Sequence, residues 1–214
     1  MVGALRRAST ERGGQQQLLS PAGDERSAGL VCNRARRLRL RVQGQCLRHP
    51  SQETARAGAH AAAVTRVRRA TGWRLGPLLF QLPPRWHVNA ERLEAFLQAL
   101  PTSLRCVFEF RDPSWFCEQA YVLLRRYGVA LCRYDLDGRR SPGVETADFA
   151  YLRLHGPGEA YRGFYADENL REWVAKIGDR LARSGDVYCY FDNDESGHAF
   201  HDALRLRSMI QSAS

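Results

Sequence analysis

Charged and polar residues that could do acid–base or ligand-binding chemistry recur at the ends of apolar runs from residue 77 onward. They are Gln81, then Glu109 with Arg111, Arg133 with Asp135, Arg153 with His155, and the cluster Asp192, Asn193 and Asp194. Residues two apart on a strand share a face, so Glu109 and Arg111 project together, as do Arg153 and His155. An ordinary imidazole titrates near pH 6.5, so His155 is the natural proton carrier. Glu109, inside an apolar strand, is expected either to pair with arginine or to act as the partner acid or base. Arg111 and Arg153 supply fixed positive charge for an anionic group.

Around these lie further binding candidates. Trp115 and Tyr161 could stack on a sugar or base, or pack in the core. Arg162 sits in the glycine-containing loop 155–163, where backbone N–H groups suit a phosphate. Asp192, Asn193 and Asp194 could hold a divalent cation with Glu109 and His155. No H-x-H or H-E-x-x-H spacing supports that, so no metal site is assigned. Cys106, Cys132 and Cys189 read as buried small hydrophobes.

The elements that must position these groups follow from the apolar pattern. Strands are expected at 78–82, 106–110, 129–134, 149–154 and 187–191. Helices are expected between them, one capped by Asn89, one behind Asp112-Pro113-Ser114 and closed by Gly128, one capped by Asp167, and a last one over 197–211. Residues 135–143 read as a polar loop. Strands alternating with helices imply parallel pairing, hence an α/β fold of about five βα units with its site at the C-terminal ends of the strands.

Four segments carry a resemblance. Leu75 to Pro84 (LGPLLFQLPP), Phe108 to Phe116 (FEFRDPSWF), Tyr151 to Gly156 (YLRLHG) and Tyr190 to Asp194 (YFDND) resemble the signature segments of the domain of unknown function 72 family (YecE-like proteins), over about residues 73–212. The resemblance implies a TIM-like barrel with these segments as its fourth, fifth, seventh and eighth strands, and it implies no established reaction. Nothing in residues 1–37 resembles the family's Gly-Trp first strand or its glutamate-bearing second. Leu38 to Val42 could be a third strand, with His49 near a family histidine. A full barrel takes about 200–250 residues, so a partial one is expected.

The first third differs in kind. No Phe, Tyr or Trp precedes Trp73, and residues 1–76 hold 15 Arg against 4 acids, whereas residues 77–214 hold 17 Lys and Arg against 19 acids. The formal charge of +9 is therefore a property of the N-terminal segment. Two units are expected: 1–72, a basic segment that is poorly ordered or not native to the domain, with a helix by propensity over 53–70, and 73–214, the partial barrel. Arginine outnumbers lysine 31 to 1, which fits a GC-rich coding sequence read out of frame at its start.

No run of eighteen apolar residues exists, so no membrane span is expected, and the opening residues lack a secretory signal. Six cysteines form no C-x-x-C pair, and reduced thiols in the cytoplasm are expected. The functional expectation is an acid–base hydrolase or lyase using His155 and Glu109 on a small anionic ligand. The alternatives are a non-catalytic binder of a nucleotide, sugar phosphate or nucleic acid, and an inactive fragment. Cofactor, substrate and oligomeric state are left open.

Overall fold

The structure is a computed structural model, and it describes residues 28–32, 39–40, 76–183 and 185–213. In chain order the elements are β1 (Ala28–Cys32), β2 (Arg39–Leu40), β3 (Leu78–Gln81), α1 (Ala90–Ala99), β4 (Cys106–Glu109), α2 (Glu118–Arg126), β5 (Ala130–Leu136), β6 (Arg139–Arg140), β7 (Phe149–Leu154), α3 (Asp167–Ala182), β8 (Asp186–Phe191) and α4 (His198–Ser212). Short 3-10 turns at Pro113–Trp115 and Glu195–Gly197 precede α2 and α4.

The sheet runs β2-β1-β8-β7-β5-β4-β3. The pairs β3–β4, β4–β5, β5–β7 and β7–β8 are parallel, as the βα alternation requires. At the other end β1 lies antiparallel on β8, with Leu30 opposite Cys189, and β2 lies antiparallel on β1. A parallel barrel would place a parallel strand against β8, so the sheet is mixed at that edge. Two short pieces of the N-terminal segment thus join the sheet. The rest of residues 1–72, with the expected helix at 53–70 and His49, lies outside the described residues.

The parallel strands are apolar on both faces because both are buried. Leu79, Val107, Ala130, Cys132, Phe149, Tyr151, Tyr188 and Tyr190 form one face. On the other, Phe80, Phe108 and Leu131 pack on α1 and α2, while Leu152, Val187 and Cys189 pack on α3 and α4. Among the described residues no helix packs on the first face, which is concave. Arg105, just before β4, donates to Tyr188 Oη at 2.9 Å and pairs with Asp186, both on β8. Three strand spacings would separate these by about 14 Å in a flat sheet, so the sheet must curl for the side chains to meet.

The expected helices are present, with two local differences. Asp112 caps the 3-10 turn rather than α2, accepting from the Ser114 N–H at 3.0 Å. Asp167 is the first residue of α3, not its cap. The expected loop after residue 134 is instead a hairpin. Asp137 and Gly138, at φ +53° and +67°, turn β5 into β6, with Leu136 opposite Arg139. Aspartate followed by glycine with both φ positive is the turn that suits the twist of two joined strands. Thr146 then bonds back to β5, accepting from the Leu131 N–H at 2.8 Å and donating to the Val129 carbonyl at 2.7 Å.

Candidate functional site

Strand register brings the polar residues together. Gln81 is the partner of Glu109 across β3–β4, Arg153 is the partner of Tyr190 across β7–β8, and the Asp192 N–H donates to the Leu154 carbonyl. The ends of β4, β7 and β8 therefore carry Glu109, Arg153, His155 and Asp192 at nearly one level, and the curl of the sheet closes the gaps between them.

The result is one buried network. Arg153 Nη1 donates to Glu109 Oε2 at 2.8 Å and to Gln81 Oε1 at 3.3 Å, while Nη2 pairs with Asp192 Oδ2 at 2.8 Å. Arg111 pairs with the other oxygen of Glu109, and its Nη2 lies 3.2 Å from His155 Nε2. A guanidinium can only donate, so Nε2 accepts and the imidazole proton sits on Nδ1. That nitrogen lies 3.2 Å from Asp192 Oδ2. Glu109 and His155 have no solvent exposure.

Burial and charge set the protonation states. Burial would raise the Glu109 carboxyl, but the Arg153 and Arg111 guanidiniums outweigh it and hold Glu109 at about 2. Burial lowers His155, and Arg153 lowers it further against the pull of Asp192, leaving it at about 4. Near neutrality Glu109 is therefore ionised and the His155 imidazole neutral. Arg153 has both terminal nitrogens engaged, and the Nε atoms of Arg111 and Arg153 both lack a hydrogen-bond partner.

Three neighbours were not among the expected site residues. The Arg111 guanidinium lies 4.9 Å from the Tyr134 ring. Cys132 Sγ is 3.6 Å from Glu109 Oε2, and burial followed by that carboxylate pushes its thiol well up, so it is no nucleophile. The buried Tyr151 hydroxyl has no hydrogen-bond partner. Period-two spacing from Cys132 and Arg153 would have found Tyr134 and Tyr151.

Of the remaining expected residues, Tyr161 touches the network and the others lie elsewhere. Trp115 is core: it stacks on Phe110 at 4.8 Å and its Nε1 donates to the Trp86 carbonyl at 2.6 Å. Asn193 turns to the back of the sheet, donating to the Gly163 carbonyl at 2.7 Å and to Asp202 Oδ2 at 2.8 Å. Asp194 precedes the 3-10 turn and its carbonyl accepts from Gly197. Arg162 is at the surface, 3.4 Å from Glu159 and 3.6 Å from Glu195. Tyr161 meets His155 edge to face with ring centroids 5.3 Å apart. Arg133 and Asp135 share a face as expected, but it is the outer one, where they pair with Glu145 and Arg140. Among the described residues no group of three His, Cys, Asp or Glu side chains is arranged to hold a metal ion.

Residues 37–214 match the sequence profile described as Protein of unknown function DUF72. The chain belongs to this family. A DUF72 family crystal structure from Thermotoga maritima MSB8 is 24% identical, with a TM-score of 0.64, over 78% of this chain and 73% of that one. Two structures of a DUF72 family protein from Enterococcus faecalis V583 give 15% and 14% identity and TM-scores of 0.60 and 0.62. They cover 76% of this chain and 71% and 68% of those chains. At these identities the likeness establishes the shared fold. No curated protein matches the chain. In the DUF72 protein no helix among the described residues is long and apolar enough to cross a membrane.

Proposed function

We propose that the ends of β4, β7 and β8 form a ligand site of the C-terminal rim, where His155 exchanges a proton with a small polar ligand bearing an anionic group. The observation that carries this reading is the neutral imidazole set between Asp192, 3.2 Å from Nδ1, and Arg111, 3.2 Å from Nε2. Nε2, its lone pair released when Arg111 turns from it to the anion, accepts the proton, and the adjacent Asp192 carboxylate stabilises the imidazolium that results. Glu109, held ionised by two arginines, enters as fixed charge that positions them rather than as the proton donor. Arg111, whose guanidinium lies directly against the imidazole, is the group that meets the anion, and Arg153, tied to Gln81, Glu109 and Asp192, is the girder behind it. The reading takes the curled sheet as part of a TIM-like barrel wall, a fold that holds its ligands at this rim. The free thiols of Cys106, Cys117, Cys132 and Cys189 support a cytoplasmic setting.

A second reading, non-catalytic binding of the same kind of ligand, is favoured by the complete burial of His155 and Glu109.

The test is a thermal-shift titration of the full chain with inorganic phosphate and glucose 6-phosphate. Binding to the folded state raises Tm as ligand exceeds Kd, and Arg111→Leu should abolish the rise. Absence of a rise with both ligands overturns the anion site. A rise that survives Arg111→Leu removes Arg111 from it.

A further inference from the structure

We infer that Tyr161 is the access residue of the rim site: its ring closes His155 from solvent on a backbone that is itself fixed, and a ligand reaches the imidazole after the ring turns aside. The charged groups around His155 are Arg111 from the end of β4, Asp192 from the end of β8, and Arg153 and Glu109 beneath. All are nearly buried. Tyr161 is the exception: it packs edge to face on the imidazole and is 47% exposed, against 0% for His155. Tyr161 is thus the half-exposed side chain that lies directly on the buried imidazole.

The backbone beneath Tyr161 is held at several points. Its own N–H donates to the His155 carbonyl, and its φ of +67° is a conformation that L residues adopt at a cost. A Cβ on Gly156 would lie 2.4 Å from the Arg162 carbonyl oxygen and 2.5 Å from that of Glu159, so the loop is folded tightly on itself. The Gly156 N–H donates to Tyr165 Oη at 3.0 Å, and the Tyr165 N–H donates to Asp202. Asn193 ties the Gly163 carbonyl to Asp202 on α4. A loop held this way leaves side-chain rotation, rather than loop opening, as the motion that admits a ligand. The strained backbone under Tyr161 fixes where its ring stands over the imidazole.

The inference rests on the rim being a site, but its test needs no ligand. Diethyl pyrocarbonate acylates neutral imidazoles, and peptide mapping reads each histidine separately. In the wild-type full chain His155 should react far more slowly than the exposed His87 and His201. Tyr161→Gly, which suits the left-handed backbone, and Tyr161→Ala should speed reaction at His155 on the order of tenfold or more while leaving His87 and His201 unchanged. Tyr161→Phe keeps the ring and should behave as wild type. By NMR titration, the His155 pKa of the glycine variant should move from about 4 towards 6.5. Fast acylation of His155 in the wild type, or no change in either ring-deleted variant with unchanged circular dichroism, overturns the gate. Phosphate binding without that change would leave the site standing and the gate refuted. The change without phosphate binding would keep the gate and refute the anion reading.

Discussion

Arg153 reaches Glu109 over the top of β5: its Nη1 donates to Glu109 Oε2 at 2.8 Å although β5 lies between their strands. The same guanidinium reaches Asp192, the residue after β8, so one side chain ties the ends of β4, β7 and β8 together.

Removing either end of that contact should be costly, because a buried charge is left behind. Glu109→Leu and Arg153→Met should each lose about 3–5 kcal/mol in urea denaturation. The double variant should cost less than the sum by about 0.5–3 kcal/mol, the coupling expected for a contacting pair. Strict additivity would mean that the contact contributes nothing.

His155 should make stability depend on pH. Its folded-state pKa of about 4 lies below the ordinary 6.5, so the unfolded chain binds the proton first. The contribution is complete above pH 6.5 and is lost as pH falls towards 4, with a span on the order of 3 kcal/mol. Denaturant midpoints measured across that window should slope steeply for wild type and less for His155→Gln.

Glu109 acts at lower pH with the same sign. Its folded value of about 2 lies below the ordinary 4.5, so its contribution is present above pH 4.5 and lost as pH falls towards 2. Carboxyl NMR signals should show Glu109 ionised at pH 3.5, and a midpoint above 4 would contradict the arginine pairing.

The loop glycines should differ sharply. At Gly156 the φ of +127° and the Arg162 and Glu159 carbonyls leave no room for a methyl group, whereas nothing lies within 4 Å of a Cβ on Gly158. Gly156→Ala should cost at least about 2 kcal/mol, while Gly158→Ala should change stability by under about 0.5 kcal/mol. Thermal unfolding of both variants decides it.

Trp115 should prove structural. Trp115→Phe loses the bond to the Trp86 carbonyl and part of the stack on Phe110, a loss of about 1–3 kcal/mol. Any phosphate-induced rise in Tm should be retained.

Local pattern was enough to place most of the fold. Each apolar run between breakers became a strand within a residue or two of its expected ends, since a four- to seven-residue stretch buried on both faces leaves little else for Val, Leu, Phe and Tyr to form. Asn89 capped α1 because the cap interaction spans three residues. The β5–β6 hairpin is equally legible in Asp137-Gly138, although the polar residues around it read as a loop.

Sequence periodicity also determined which residues share a face: Glu109 with Arg111, Arg153 with His155, and Arg133 with Asp135. It could not determine which face was inner. A strand buried on both sides has no polar side to fix its phase, so only packing put Arg153 inward and Arg133 outward against Glu145. The partners were likewise a tertiary matter, because Gln81, Glu109, Arg153 and Asp192 meet across a curled sheet whose strand order and curvature no local pattern encodes. The same holds for the charge states. Glu109 is ionised and His155 neutral because of burial and of arginines distant in sequence, which act only once the fold has brought them within a few ångströms.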